Sequence, residues 1–206
     1  LCHGFPELAV SWRYQIKALG DAGFHVMAPD QRGYGLTSRP EKIEDYDMNH
    51  LTGDLAGMLD AFGVDKAVFA GHDWGGLVVW QMPIYQPRRV AGVIGVNTPF
   101  MPRGHEDPIE VMRRRLGEEM YIVHFQKPGE ADAALAKDVG KTMGFFLRAP
   151  LPGTGAVGAG LSTERKPGDP GYVDLTDDRP WESAYKLWDK YHDPKTGELK
   201  PGVAAK

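Results

Sequence analysis

Residues 66–86 read KAVFAGHDWGGLVVWQMPIYQ: a short apolar run, a turn bracketed by glycines, and a longer apolar run. KAVFAG (66–71) has the length and composition of a buried strand, and GLVVWQMPIYQ (76–86) that of a helix. Pro83 inside that helix is expected to kink it or to shift its start, because an interior proline removes a hydrogen bond and clashes with the preceding turn. Between strand and helix, Gly71-His72-Asp73-Trp74-Gly75-Gly76 has the form Gly-x-nucleophile-x-Gly of a nucleophile elbow. So tight a turn needs small residues two before and two after its centre, which are Gly71 and Gly75. The central side chain is then raised above the sheet at a helix N-terminus, where the dipole favours an anion.

The rest of the first hundred residues fits a sheet built from repeated strand–helix units. FHVMAP (24–29) reads as a buried strand, followed by the glycine-rich DQRGYGLTS (30–38). Leu51, Leu55, Met58, Leu59 and Phe62 fall on one helical face, and Gly63 supplies a stop. VAGVIGVN (90–97) is a third strand. Alternation of this kind predicts an α/β fold with a parallel sheet. After Phe100 the texture becomes helical, rich in Met, Arg and Glu, and residues 150–180 are dense in Gly and Pro. The expected organisation is an α/β core over 1–100, a helical stretch with an irregular excursion over 101–180, and a short helix (181–191) with a polar tail to 206.

An aspartate at the centre of the elbow, where serine is usual, narrows the chemistry. Serine attacking a saturated carbon would leave an ether that water could not open. A carboxylate attacking the same carbon leaves an ester, which water opens at its carbonyl. Asp73 therefore points to displacement at sp³ carbon through a covalent alkyl-enzyme; the competing reading is an N-terminal aspartate that only stabilises its helix. HGFPE (3–7) supplies the complementary part. An HG dipeptide at a strand end, before a helix beginning near Trp12, is where enzymes with such an elbow place a second oxyanion donor. The two donors expected here are the backbone N–H groups of Phe5 and Trp74.

Taken in order, HGFPE (3–7, with His3, Gly4, Phe5 and Pro6), DQRGYGLTS (30–38), GHDWGG (71–76, with His72) and NTPF (97–100) resemble the epoxide hydrolase family of the α/β-hydrolase superfamily. YIVHFQKPGEADAAL (121–135) and TMGFFLR (142–148) extend the resemblance into the cap. It implies a partial α/β-hydrolase core with a helical cap, hydrolysis of a small-molecule epoxide to a vicinal diol, and no metal or organic cofactor. It also implies a role for Tyr121, whose phenol would hydrogen-bond the epoxide oxygen as Asp73 attacks the far side of the ring. Asp30 and Arg32 are expected to organise the glycine loop without touching the chemistry, and His124 to pack or line the cap.

The resemblance further implies a histidine base late in the chain, oriented by an acid, and neither motif is visible. His192 sits in polar YHDPKTGE with no strand before it, and Tyr172, Tyr185 and Tyr191 match no cap-tyrosine motif. Only Leu1 and Cys2 precede the HG dipeptide. On this reading the 206 residues are an interior piece of a longer enzyme with open sheet edges, and two alternatives stand beside it. One is a haloalkane or haloacid dehalogenase of the same fold, which would favour asparagine in place of Phe5 or arginine in place of Trp74. The other is a chain that binds or is alkylated without turnover.

Composition excludes some other classes. A net charge of −4 provides no basic footprint for nucleic acid and no polybasic run for an anionic membrane. The densest basic cluster, Arg113-Arg114-Arg115, reads as a solvated helix face. One cysteine, Cys2, excludes an intrachain disulfide and suits a reducing cytoplasm. No apolar run approaches the ~20 residues that span a bilayer. Oligomeric state is left open by the sequence.

Overall fold

The computed structural model describes residues 1–118 and 120–147. They fall into two compact units, one of Leu1–Pro102 and one that starts at Arg103.

The first unit is an α/β assembly. A 3-10 turn over Ala9–Trp12 leads into helix α1 (Arg13–Asp21), and helix α2 runs from Met48 to Ala61. Strand β1 (Ala67–His72), helix α3 (Trp74–Tyr85) and strand β2 (Val90–Val96) then form one βαβ unit. β1 and β2 are parallel, in the register Val68–Gly92 through His72–Val96. On the opposite edge of β1, Cys2 adds a parallel bridge to Gly71. The Cys2 N–H donates to the Ala70 carbonyl (2.8 Å), and the His72 N–H to the Cys2 carbonyl (3.1 Å).

α2 shows why its sequence begins and stops where it does. The Asp47 carboxylate accepts from the His50 N–H at 2.9 Å and caps the N-terminus. At the other end Gly63 takes φ 65°, its N–H reaches the Asp60 carbonyl, and the Val64 N–H reaches that of Leu59. This pair of bonds is a Schellman stop, and it needs the left-handed backbone that glycine adopts without strain. Leu55 and Leu59 are buried, whereas Phe62 has left the helical face at the cap and is largely exposed.

α3 is apolar nearly all round, the pattern of a helix covered on several sides. Val78, Val79 and Met82 join Leu55, Leu59, Phe69 and Cys2 in one core. The helix starts at Trp74, two residues ahead of the expected Gly76, and continues through Pro83 to end at Tyr85. Only two residues follow the proline, so little helix remains to be disturbed.

FHVMAP is not the buried strand its composition suggested. Residues 24–29 carry no strand assignment, and Phe24 is 65% exposed. A strand exists by its ladder, and the backbone of this stretch meets the sheet side through one bond, from the Leu1 nitrogen to the Met27 carbonyl (2.6 Å).

The second unit, over its described residues, is helical: α4 (Pro108–Leu116), α5 (Tyr121–His124), α6 (Glu130–Ala136) and α7 (Val139–Leu147). Asp107 caps α4 by accepting from the Ile109 N–H at 2.7 Å, with Pro108 in the first turn. Arg113 pairs with Glu110 and Glu118, and Arg114 with Glu106. The arginine run is thus a solvated, ion-paired face. Among the described residues no helix is long and apolar enough to cross a membrane. The expected helix over 181–191, His192 and Tyr172, Tyr185 and Tyr191 lie outside the described residues.

Two substitutions on α2 test this account of the core. Gly57 is exposed and a Cβ there meets nothing within 4 Å, so Gly57→Ala should stabilise the protein by up to about 1 kcal/mol. Leu59→Ala, two residues away and buried, should cost about 2–5 kcal/mol. Urea denaturation of both variants measures the two changes against the same wild type.

Candidate active site

Two segments far apart in sequence are driven together here by the absence of side chains. A Cβ on Gly71 would strike the Gly75 carbonyl, and one on Gly75 would strike the carbonyls of Cys2 and His3. Gly4 faces the same constraint from the other side, because its Cβ would overlap Asp73 itself. The strand end 2–5 and the elbow 71–76 therefore touch backbone to backbone.

Asp73 sits between β1 and α3 with φ 53° and ψ −122°. For a residue with a side chain such a backbone is strained, by about 1–3 kcal/mol, and it persists only where the surroundings over-determine it. They do so here. The Asp73 carbonyl accepts from the Gly76 N–H (3.0 Å), the Leu77 N–H (3.2 Å) and the Thr98 hydroxyl (3.0 Å). The half-buried carboxylate takes the Phe5 N–H on Oδ1 at 2.9 Å. Trp74, the next residue, opens α3, so its N–H has no carbonyl within the helix to bond. Its indole is exposed.

The HGFPE loop is held by its own residues. His3 is fully buried. Its Nδ1 lies 2.9 Å from the Gly4 carbonyl and its Nε2 3.0 Å from the Gln31 N–H. A carbonyl can only accept and an N–H can only donate, so the proton is on Nδ1. The Gln31 side chain donates to the His3 carbonyl. Pro6 follows a cis peptide bond, and the Glu7 N–H closes a turn on the Gly4 carbonyl at 3.0 Å. The Glu7 carboxylate reaches the His72 ring at 3.2 Å, a second tie between loop and elbow.

The glycine loop frames the same spot. Asp30 accepts from the Ala9 N–H (2.8 Å), and Arg32 binds Asp54 through two nitrogens at 2.8 and 2.7 Å. Both side chains tie the loop to its neighbours. Tyr34, set between two left-handed glycines, stacks edge-on against His3 with ring centroids 4.8 Å apart. Burial pushes its phenol up to about 12, and the negative charge of Asp73 adds to the shift, so Tyr34 stays neutral beside the carboxylate. A cavity of about 370 Å³ lined by Pro29, Gln31, Ser38, Leu51, Leu55 and Met58, among others, includes no elbow residue.

His3, Gly4, Phe5, Pro6, Gly71, His72, Asp73, Trp74, Gly75 and Gly76 thus all belong to one locus in the first unit. Tyr121 belongs to the second unit, where it opens α5 and meets Phe125 edge-on at 5.6 Å; His124 closes the same turn of helix. Sequence reasoning missed Gln31, Tyr34, Glu7 and Thr98 as members of the locus. Each lies in a quoted motif, but a threonine or glutamine in a loop carries no periodicity or charge pattern to mark it. Among the described residues no three His, Cys, Asp or Glu side chains gather as a metal site would require.

Residues 1–145 match the family model of the alpha/beta hydrolase fold. The chain is 56% identical over 144 residues to epoxide hydrolase A of Mycobacterium tuberculosis, covering 69% of this chain and 45% of that protein. It is 47% identical over 150 residues to bifunctional epoxide hydrolase 2 of Mus musculus, covering 72% and 27% respectively. The crystal structure of epoxide hydrolase A from Mycobacterium thermoresistibile superposes with a TM-score of 0.69 at 54% identity, over 73% of this chain and 48% of that one. An epoxide hydrolase from Vigna radiata gives 0.69 at 32% identity, over 98% and 62%. The chain therefore spans less than half the length of the first of these relatives.

The backbone contact at Gly75 has a built-in reporter. Cys2, whose carbonyl blocks that contact, is buried, and burial pushes its thiol up to about 11. The native thiol should resist iodoacetamide at pH 8 and react on unfolding. Gly75→Ala should make Cys2 reactive without denaturant, read by intact mass, whereas Gly57→Ala should leave it protected.

Proposed function

Because this chain belongs to the epoxide hydrolase family of the α/β-hydrolase superfamily, we propose that its protein hydrolyses small-molecule epoxides to vicinal diols with Asp73 as nucleophile. The observation that carries the reading is the Phe5 N–H held 2.9 Å from Oδ1 of an aspartate in a strained elbow. A carboxylate serving only to cap α3 would accept from that helix, and the Asp73 side chain makes no such cap bond.

With Oδ1 engaged by Phe5, Oδ2 is the attacking atom. Its lone pair forms a bond to one epoxide carbon from the side opposite the ring oxygen, and the carbon–oxygen bond breaks. The electron pair passes to the oxygen, which the Tyr121 phenol stabilises by hydrogen bond and protonates. The product of this half is an alkyl ester on Asp73. Water then attacks the ester carbonyl, and charge develops on its oxygen, where the Phe5 and Trp74 N–H groups form the oxyanion hole. When that intermediate collapses, the acyl–oxygen bond breaks and the departing alkoxide takes up the proton removed from the water, releasing the diol. The proton shed as the carboxylate is restored returns to the Tyr121 phenolate. Activating the water is the task the resemblance gives to a histidine late in the chain. His3, with both ring nitrogens engaged, is unsuited to it.

No metal or organic cofactor enters this scheme, and the partner it calls for is a small-molecule epoxide. The single buried cysteine fits a reducing compartment, and we place the protein in the cytoplasm.

Treating the 206-residue chain with styrene oxide should add one alkyl group, located at Asp73 by peptide mass mapping. Asp73→Asn should take no label, and Tyr121→Phe should be labelled about 10²-fold more slowly. Halide release from a haloalkane with no reaction toward the epoxide would overturn the assignment.

A further inference from the structure

The segment Asn97-Thr98-Pro99-Phe100 follows β2 and has no part in the scheme above. Its threonine nevertheless reaches the reacting centre. The Thr98 hydroxyl donates to the Asp73 carbonyl at 3.0 Å, from outside α3. Thr98 is itself fixed: the Trp80 indole N–H donates to its carbonyl at 2.8 Å, and a Cβ on Gly76 would come within 2.6 Å of its own Cβ. The carbonyl it holds is one end of a planar trans peptide, and the other end of that peptide is the Trp74 N–H. Fixing the oxygen fixes the direction of the hydrogen, and a donor on the oxygen also polarises the N–H.

The other oxyanion donor is held in the same way. The Phe5 N–H shares its peptide with the Gly4 carbonyl, and that carbonyl accepts from His3 Nδ1 at 2.9 Å. This second peptide demonstrably points its N–H at the nucleophile, since the Phe5 N–H bonds Asp73 Oδ1. Each oxyanion peptide thus has a side-chain donor on its far end. One is a histidine from the strand-end loop, the other a threonine from the end of the next strand.

We propose that Thr98 is a positioning residue for the second half-reaction, holding the Trp74 N–H on the oxygen that becomes an oxyanion when the Asp73 ester is attacked. The proposal rests on Trp74 being an oxyanion donor, as the functional reading has it. It separates the two half-reactions. In alkylation the carboxylate loses charge, so a weakened donor does not retard it. In attack on the ester the carbonyl oxygen gains charge, so the same weakening does. A residue that merely supported the fold would slow both.

The test needs no general base from the protein. The full chain is labelled with styrene oxide, freed of excess reagent and treated with hydroxylamine. The hydroxylamine nitrogen attacks the carbonyl carbon of the side-chain ester on Asp73, the acyl–oxygen bond breaks, and the alkoxide departs with the electron pair and takes the proton lost by the nitrogen. A hydroxamate remains at residue 73, and intact mass follows the exchange. Thr98→Val and Thr98→Ala should label at the wild-type rate and clear about tenfold more slowly, less than the 10²–10³-fold for removing a donor outright. Thr98→Ser, which keeps the hydroxyl, should restore clearance. The Asp73 carbonyl keeps its two backbone donors in these variants, so they should fold, as circular dichroism would report. Equal clearance in wild type and both variants overturns the proposal alone. So does labelling that slows in step with clearance. A folded wild-type chain that takes no label overturns the functional reading together with the proposal.

Discussion

A backbone N–H and a carboxylate 68 residues apart in sequence meet at 2.9 Å, and the first unit is arranged around that meeting. It requires the strand end at Cys2–Phe5 to lie directly against the elbow at Gly71–Gly76. The approach is closed to any residue with a Cβ at positions 4, 71 or 75. It is held by main-chain bonds on one side, Cys2 with Ala70 and His72, and by Glu7 with His72 on the other. The buried His3 then fastens the glycine loop to the same point through the Gln31 N–H. Removing the close approach would release the Phe5 N–H, the loop and the bridge to β1 together.

What the sequence announced follows from this geometry. Glycines dictated by close contact are visible as glycines, and a strand-to-helix turn between two apolar runs leaves few other readings. The α2 stop was equally open, because a left-handed C′ position selects Gly63. What stayed hidden was of another kind. FHVMAP has the composition of a strand, but strand character is conferred by a neighbour, and composition does not say whether the neighbour is there. Thr98, Gln31 and Tyr34 act through direction: a hydroxyl aimed at a carbonyl, an amide spanning two loops, a ring edge on an imidazole. Such roles depend on tertiary placement and leave no period in the sequence.

The electrostatics around Asp73 suit the proposed role, in which a nucleophile must be both charged and exposed to an uncharged epoxide. One oxygen is stabilised by the Phe5 N–H, which lies in a turn and so is not committed to a helix or a strand ladder. The neighbouring Tyr34, kept protonated by burial and by the carboxylate itself, adds no second negative charge. In the proposed reaction, holding the charge with a backbone dipole would keep the oxygen nucleophilic, since a full ion pair would bind the ground state as tightly as any later state.

Backbone donors carry a difficulty of their own, because a peptide N–H is aimed only as well as its plane is fixed. Asp73 is in a strained conformation, and a strained turn free to relax would swing the Asp73–Trp74 plane and with it the direction of the Trp74 N–H. Three donors converge on that carbonyl, and one of them comes from the end of β2, an element that does not share the turn's strain. β2 is in turn locked to β1 by the parallel register that ends at His72–Val96, one residue before Asp73 and two before Thr98. The sheet register therefore sets the distance between the threonine and the elbow. The accuracy of the proposed oxyanion hole would then be a property of strand pairing, established when the protein folds and requiring no reorganisation when charge develops.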